Sequence, residues 1–333
     1  MPEFIQLLND APLYPLRFVP IYKNYIWGGS RLRTLFQRQF PDEYETVAES
    51  WEIADLPNNS SIISNGIFRG YSLHDVLLSR SVELLGESSV SRFPILLKYL
   101  DACSTLSIQV HPDDELAVEM QLDCSGKSEA WIILESEPGG VVWIGTNDNC
   151  SGEQLNRLIL EGGIESVMRR IEVKSGDCFY IPPGTLHALG AGIMVAEIQQ
   201  PSNTTFRVFD WNRLDRDGLP RQLHKNEAIR ALKTTNQINP VIPQKTDIAI
   251  RELLVIDPNF LLYRWTVDQP VEVELDGKCS IWMVLNGTVQ IGQETLNRGD
   301  SILIPATQKK IEWIPINKKN KNNTVILAEG KTG

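Results

Sequence analysis

The amino-acid sequence predicts a mainly β fold of two β-barrels with short helical insertions. Short segments such as residues 106–111 alternate apolar and polar side chains, as half-buried strands do, and turns rich in Pro, Gly and Asn separate them. Residues 280–306 then echo an earlier part of the chain, which predicts a second copy of the barrel. A polar, Pro-containing connection places the boundary near residue 240, giving domains 1–240 and 241–333.

Bulk composition narrows the class of protein. With 333 residues, 42% of them hydrophobic, the chain can bury a sizeable core. Its formal net charge of -10 argues against nucleic acid or an anionic membrane as a partner, so an anionic small substrate would need a local basic pocket. We expect a cytoplasmic protein, because no segment has the apolar run of a signal peptide or membrane span. The five cysteines are odd in number and lack a CxxC pair, which indicates neither a disulfide framework nor a thiolate zinc site.

The first hundred residues supply turns, strands and two short helices. Gly28 begins a turn after which Ser30 is expected to cap a helix. Ser72 and Asp75 have the spacing of a capping box, which predicts a second helix start. Residues 93–100 form a nearly continuous apolar run, as expected of a strand buried on both faces.

Polar side chains with metal-binding and proton-transfer chemistry gather between residues 104 and 131. Alternation places Ser107, Gln109 and His111 on one face of a strand that Pro112 ends. A short helix follows, and a second strand then carries Lys127 and Glu129 on one face. If the two strands are neighbours, one cavity is lined by Gln109, His111, Lys127 and Glu129. This stretch alone leaves open the alternative that its His and Glu are ordinary surface residues.

A helical insertion separates this stretch from the next strands. Ser151 and Gln154 fit a capping box, and apolar residues recur at helical spacing behind them. Two glycines end that helix, and we expect a second short helix through Arg169 and Arg170 before strands resume at Ile171.

Residues 176–187 combine a turn, a strand and a stiff Pro-Pro-Gly corner from which His187 enters the next strand. This spacing resembles the second metal-binding motif of the cupin superfamily, and Gln109, His111 and Glu129 resemble the ligands of the first. Two imidazoles and a carboxylate without a thiolate suit zinc, iron, manganese or cobalt, so ligand chemistry alone does not choose the metal.

Two further strands follow His187. Alternation places Glu197 and Gln199 on the side that faces His187 if their strand is regular. In the next strand Arg207 and Asp210 fall on opposite faces, so both reach the pocket only if the strand has a bulge. Arg207 alternatively stacks on the rim of the core or pairs with a carboxylate.

The combined motifs resemble the type I mannose-6-phosphate isomerases of the short bacterial form. They run in order through roughly residues 14 to 230: WGG at 27–29, ESWEI at 49–53, LSIQVHPDDELA at 106–117, GKSEAW at 126–131, PPGTLHALGAG at 182–192 and EIQQPSNTTFRVFDWNR at 197–213. The resemblance implies one divalent metal ion, zinc, on His111, Glu129 and His187, with Gln109 as a fourth ligand. It also implies an active-site arginine, Arg207, and two catalytic candidates, Lys127 and Glu197.

The expected activity is aldose-ketose isomerisation of mannose 6-phosphate and fructose 6-phosphate through an enediol, by a monomer or homodimer. We expect the phosphate to meet some of Ser107, Lys127, Arg207 and a basic residue further along the chain. Two alternatives stay open: another metal-dependent cupin enzyme, such as an iron dioxygenase, and a non-catalytic sugar-binding or regulatory cupin.

The repeat at 280–306 keeps the turns of the first copy but not its ligands. Where the first copy delivers His187, the second has Gln308, Lys309 and Lys310, and no histidine follows His224. We therefore expect a second barrel without metal ligands. His224, in a short helix, is expected to be a surface residue.

Overall fold

The computed structural model describes residues 11–40, 44–86, 90–147, 150–233, 238–316 and 325–332. Strands predominate within these ranges. They are β1 (Phe18–Val19), β2 (Ile21–Lys23), β3 (Glu49–Ile53), β4 (Asp55–Leu56), β5 (Asn59–Ser60), β6 (Ile62–Ile63), β7 (Leu96–Ala102), β8 (Ile108–Val110), β9 (Glu129–Ser136), β10 (Val141–Thr146), β11 (Met168–Glu172), β12 (Cys178–Ile181), β13 (His187–Leu189), β14 (Ile193–Gln199), β15 (Phe206–Phe209), β16 (Gln244–Lys245), β17 (Arg251–Ile256), β18 (Phe260–Val267), β19 (Val271–Glu274), β20 (Ser280–Asn286), β21 (Thr288–Ile291), β22 (Glu294–Asn297), β23 (Ser301–Ile304), β24 (Lys310–Pro315) and β25 (Val325–Thr332).

The helices are short and lie between strands. They are α1 (Arg31–Phe36), α2 (Leu73–Leu85), α3 (Asp114–Glu119), α4 (Gly152–Glu161) and α5 (Lys225–Ala231), with a 3-10 helix at Ile164–Val167. Among the described residues, no helix has the length and apolar character needed to cross a bilayer. The predicted mainly β fold with short helical insertions is confirmed.

The first barrel pairs two antiparallel sheets. One has the strand order β12-β9-β14-β7-β3-β2 and the other has the order β11-β10-β13-β8-β15. Strand β7 is buried along its whole length, as its continuous apolar run predicts. Large apolar side chains such as Trp131, Phe179 and Leu189 fill part of the space between the sheets.

The second barrel repeats the first strand by strand. Its sheets have the orders β23-β20-β25-β18-β17-β16 and β22-β21-β24-β19. The consecutive strands β7 to β14 therefore recur, in the same spatial order, as β18 to β25. The predicted second copy of the barrel is confirmed.

The two barrels share a hydrophobic core. Leu97, Ile132 and Ile198 of the first barrel belong to the same buried cluster as Phe260 and Ile281 of the second. Burial of apolar area at about 25 cal/mol per Å² makes such a shared core a large stabilising contribution. The six-stranded sheet that carries part of the site is therefore supported from behind by the second barrel.

Two local predictions differ from the structure. Ser30 stands at the N-cap of α1 but its side chain makes no capping bond; the Asp101 carboxylate instead accepts a hydrogen bond from the Arg31 N–H at 2.6 Å. The helix expected through Arg169 and Arg170 is wrong: the 3-10 turn ends at Val167, and both arginines lie in β11. Pairing of β11 with β10 supplies backbone hydrogen bonds that a second helix would have to make alone.

Candidate metal centre and active-site cavity

The three predicted metal ligands converge between the two sheets of the first barrel. Glu129 begins β9 in one sheet, whereas His187 begins β13 and His111 follows β8 in the other. Glu129 Oε1 lies 3.1 Å from His187 Nε2, and Glu129 Oε2 lies 3.6 Å from His111 Nε2. All three side chains are at most 2% exposed.

Backbone carbonyls orient both imidazoles. The Nδ1 of His111 lies 2.9 Å from the Thr204 carbonyl, and the Nδ1 of His187 lies 2.9 Å from the Thr185 carbonyl. Each Nδ1–H therefore donates to a carbonyl, and each Nε2 keeps a lone pair directed towards Glu129. This is the outer support that metal-binding histidines use to fix their tautomer.

The Pro-Pro-Gly corner holds the two histidine segments together. Gly184 adopts a positive φ of 85°, and its N–H donates to the His111 carbonyl at 2.9 Å. A side chain there would stand 2.6 Å from Lys233 Cγ, so glycine is required on both conformational and steric grounds. The corner therefore fixes the approach of His187 to His111.

The donor set fits a divalent cation. Glu129 Oε1 is buried and has no hydrogen-bond partner among the described residues, as expected of an oxygen reserved for a metal. Burial and the Lys127 ammonium hold the pKa of His111 well below its ordinary value, which keeps its Nε2 unprotonated. Burial alone would raise the pKa of Glu129, but the charge of Lys127 holds it well below its usual range.

Gln109 lies beside these ligands. It is paired with His187 across β8 and β13, and its Nε2 is 3.3 Å from His187 Nε2. A rotation of the amide would present its oxygen to the same point, because the two ends of an amide are nearly equal in size.

A cavity of about 240 Å³ lies next to the buried triad, and its lining includes Gln109 and Lys127, which contact ligand side chains. It is lined by the predicted substrate and catalytic residues, Ser107, Lys127, Glu197 and Arg207, and by Gln109, the predicted fourth metal ligand. Of the four residues that alternation predicted to line one cavity, Gln109 and Lys127 do so, whereas His111 and Glu129 are buried next to it.

Lys127 and Glu197 each contact other polar side chains beside the cavity. The Lys127 ammonium donates to Glu129 Oε2 at 2.6 Å and lies 3.1 Å from His111 Nε2. Glu197 Oε2 accepts a hydrogen bond from Trp131 Nε1 at 2.7 Å. Its other oxygen, Oε1, lies 3.3 Å from Lys98 Nζ.

Lys98 and Glu49 were missed by sequence reasoning. Both line the cavity, and Lys98 Nζ is 3.6 Å from Glu49 Oε2. Burial alone would lower the pKa of Lys98, but Glu49 and Glu197 raise it above its ordinary value. The available signal was a lysine within the apolar run 95–100, since a lysine inside a buried strand requires buried carboxylates as partners.

Arg221 and His224 were also missed, and the expectation that His224 is a surface residue is wrong. His224 lines the cavity as the N-cap of α5, and its Nδ1 accepts a hydrogen bond from the Arg207 N–H at 3.2 Å. Burial and the charge of Arg207 lower the pKa of His224. Helical periodicity gave no signal for either residue, because both precede the first residue of α5.

Arg207 lines the cavity and Asp210 does not, although β15 has a bulge between them. The pairing of β15 with β8 shifts register between Arg207 and Phe209. Arg207 lines the cavity, while Asp210 stands behind the wall and accepts hydrogen bonds from Arg213 and Arg221. Arg221 in turn lines the cavity, so Asp210 acts on the site through Arg221.

Known proteins resemble this chain in sequence and in architecture. Residues 16–131 match the catalytic-domain model of type I phosphomannose isomerase. The chain is 38% identical to the mannose-6-phosphate isomerase of Streptococcus mutans over 294 residues, covering 86% of this chain and 91% of that protein. It is 37% identical to the mannose-6-phosphate isomerase ManA of Bacillus subtilis over 231 residues, covering 69% of this chain and 70% of that one.

A solved structure extends the likeness to both barrels. The crystal structure of mannose 6-phosphate isomerase from Bacillus subtilis superposes with a TM-score of 0.85 at 31% identity, covering 96% of this chain and 99% of that one. Similarity of this extent, together with the matched catalytic domain, decides the family. The chain belongs to the type I mannose-6-phosphate isomerases.

Proposed function

We propose that this protein interconverts mannose 6-phosphate and fructose 6-phosphate. The observation that carries the proposal is the His111, Glu129 and His187 triad next to a cavity lined by paired acids and bases. Membership of the isomerase family favours this chemistry over other reactions of the same ligand set. The reaction moves a proton between carbons 1 and 2 through an enediol, so it needs a base, a polarised carbonyl and proton transfer between two oxygens.

Glu197 is the base that the geometry favours. Its Oε2 is held by Trp131 Nε1 at 2.7 Å, which fixes the carboxylate, and the residue lines the cavity. Lys98, 3.3 Å from Oε1 and kept protonated by its two carboxylates, can stabilise negative charge on the enediolate. Glu197 would take the carbon-bound proton from one carbon and return it to the other.

Lys127 and Arg207 have supporting roles in this proposal. Lys127 contacts two of the three ligand side chains, His111 and Glu129, and it also lines the cavity, so its ammonium can bind a substrate oxygen beside the metal site. Arg207 is paired with Gln109 across β8 and β15, one strand away from the ligands. Its planar guanidinium can bind an anionic oxygen with two parallel hydrogen bonds.

We infer that the metal is zinc. Two histidines and one glutamate with an open position are a common catalytic zinc set, although the same ligands also bind Fe(II) in oxygenases. When bound, a divalent ion supplies Lewis-acid stabilisation of the developing enediolate. Metal analysis of the purified protein, followed by chelation and reconstitution with zinc, iron, manganese or cobalt, tests this inference.

Deuterium exchange separates the isomerase from a non-catalytic sugar-binding cupin. The isomerase should exchange the proton on carbon 2 of mannose 6-phosphate for deuterium from D2O and should form fructose 6-phosphate. Removal of the metal with a chelator should stop the exchange and the product formation. Binding of the sugar phosphate with neither exchange nor product would overturn the proposed function and favour the binder. An iron dioxygenase would instead consume dioxygen with its substrate.

We further propose that residues 1–240 carry the chemistry and that 241–333 form a barrel without metal ligands. Trp131 is opposite Glu197 in the first barrel, and Trp282 is opposite Glu329 in the second. This correspondence places Ser280 at the position of Glu129. All four histidines precede residue 241. A cytoplasmic location and a monomeric or homodimeric state remain predictions.

A further inference from the structure

We propose that Arg221, braced by Asp210, is the residue that binds the phosphate group of the substrate and selects phosphorylated over free sugar. This inference rests on the proposed function, because it takes the substrate to be a hexose 6-phosphate. The phosphate is a dianion and needs a cation whose charge is not already paired. Four cationic side chains line the cavity: Lys98, Lys127, Arg207 and Arg221.

The two lysines are already neutralised. Lys98 is within 3.6 Å of carboxylates on Glu49 and Glu197, and Lys127 donates to Glu129 at 2.6 Å. These charges are buried, with side-chain exposures of 4% for Lys98 and 6% for Lys127. Separating either lysine from its carboxylate to meet a phosphate would leave a buried charge unpaired, which is costly.

The two arginines leave an excess of positive charge in the cavity wall. Asp210 is the carboxylate beside them, and it is shared between Arg221 and Arg213. Arg207 makes a hydrogen bond to the Gln222 carbonyl at 2.9 Å, but its Nε is buried and without a partner among the described residues. Burial and then the like charge of Arg221 lower the pKa of Arg207, as expected of two guanidiniums that face a shared space.

Asp210 fixes the direction of Arg221. Its Oδ2 accepts from Arg221 Nε at 2.7 Å, and its Oδ1 accepts from Arg221 Nη2. Within the described chain, the third nitrogen of Arg221, Nη1, has no hydrogen-bond partner from the protein. A bidentate carboxylate on one edge of a guanidinium removes rotamer freedom and presents the remaining N–H groups to an anion.

The length of the substrate agrees with this placement. His187, Gln109 and Arg207 are neighbours across one row of the five-stranded sheet, so Arg207 is near the metal end of the cavity. Isomerisation occurs at carbons 1 and 2, whereas the phosphate is on carbon 6, at the opposite end of the chain. A sugar with its reacting carbons beside the triad would direct its phosphate away from the metal. Arg221 is the cavity cation that we place there, because it stands in the loop before α5 rather than on a strand next to the ligands.

The test compares Arg221→Gln with the wild-type metalloenzyme. We expect KM for mannose 6-phosphate to rise about 10- to 100-fold, the loss expected for one charge-assisted contact, while kcat changes by less than about threefold. The inhibition constant of inorganic phosphate should rise by the same factor. Arg221→Lys should restore part of the affinity, because it keeps the charge but not the planar fork.

Asp210→Asn tests the bracing. It should raise KM and the phosphate inhibition constant in the wild-type background and have little further effect in the Arg221→Gln background. Arg230→Gln is the matched control, because Arg230 pairs with Glu119 on the surface and does not line the cavity. Unfolding temperatures identify any variant that fails to fold.

Three outcomes are decisive. If the phosphate inhibition constant of Arg221→Gln is within about twofold of the wild-type value, or if the wild-type enzyme does not bind phosphate, the inference is overturned. If the wild type nevertheless isomerises mannose 6-phosphate, the proposed function stands although the inference fails. If the wild type does not isomerise but calorimetry shows that Arg221→Gln loses phosphate affinity, the phosphate site stands and the proposed function fails.

Discussion

Replacing Glu197 by glutamine removes the proposed base with little change in shape. The amide oxygen can still accept the hydrogen bond from Trp131 Nε1, which is 2.7 Å from Glu197 Oε2. The change does remove one of the two carboxylates around Lys98. Glu49 remains 3.6 Å from Lys98, so we expect a destabilisation below the roughly 3–5 kcal/mol that isolating a buried charge costs. A positioned general base contributes about 10²- to 10⁴-fold to a rate, so kcat should fall by that factor.

The assay measures kcat and KM in the direction of fructose 6-phosphate, with metal content and unfolding temperature measured on the same samples. We expect Glu197→Gln to retain metal, because Glu197 is not one of the three ligands. It should also lose deuterium exchange at carbon 2 in parallel with kcat. A variant with full metal content and kcat within about tenfold of wild type would refute the assignment of Glu197 as the base.

The second barrel offers a matched control for this experiment. Glu329 in β25 accepts a hydrogen bond from Trp265 Nε1 at 2.7 Å, just as Glu197 in β14 accepts one from Trp131. Glu329→Gln therefore removes an equally buried carboxylate from an equivalent strand outside the cavity. It should lower the unfolding temperature without changing kcat per folded molecule.

Four further changes probe the site and its support. His187→Ala should abolish bound metal and activity together, whereas Arg207→Ala should keep metal, measured by elemental analysis, and lose turnover; near-normal turnover would contradict the role of Arg207. Because burial and Arg207 lower the pKa of His224 below 6.5, protonation favours the unfolded chain, and this contribution to stability is complete above pH 6.5 and is lost as the pH falls below it. The unfolding temperature of His224→Gln should therefore fall less than that of wild type between about pH 7.5 and 5.5, and an equal fall would contradict this account. Trp282→Ala should cost about 3–5 kcal/mol of unfolding free energy but leave the specific activity of folded enzyme unchanged.

The parts of the site that could be predicted from sequence are those set by strand periodicity and short motifs. Alternation placed Ser107, Gln109 and His111 on one face because side chains of a strand point alternately to its two sides. The Pro-Pro-Gly corner predicted the turn from which His187 enters the next strand, because Gly184 adopts a positive φ that few other residues can adopt. Both signals lie within about a dozen residues of the side chain that they predict.

The rest of the site depends on contacts between distant segments. Glu49 and Lys98 are on neighbouring strands of the six-stranded sheet, but the sequence of neither strand predicts that the two strands pair. Arg221 enters the cavity because Asp210 lies 11 positions before it and accepts its guanidinium. A bulge shifts the register of β15 against β8 just before Asp210, which alternation within β15 alone does not reveal.

The two barrels show how one topology supports two different interiors. In the second barrel, three fully buried rings, Trp265, Trp282 and Trp313, pack at tilted angles with centroids 5.5 and 4.9 Å apart. In the first barrel, charged side chains stand along the corresponding strands, and their burial costs stability unless each is paired. Among the described residues of the second barrel, the buried carboxylates are Asp257 and Glu329, and the barrel adds apolar area to the core that both barrels share. Its contribution to catalysis would therefore be mechanical, because it holds β9 and β14 rigid enough to keep Glu129 and Glu197 in place.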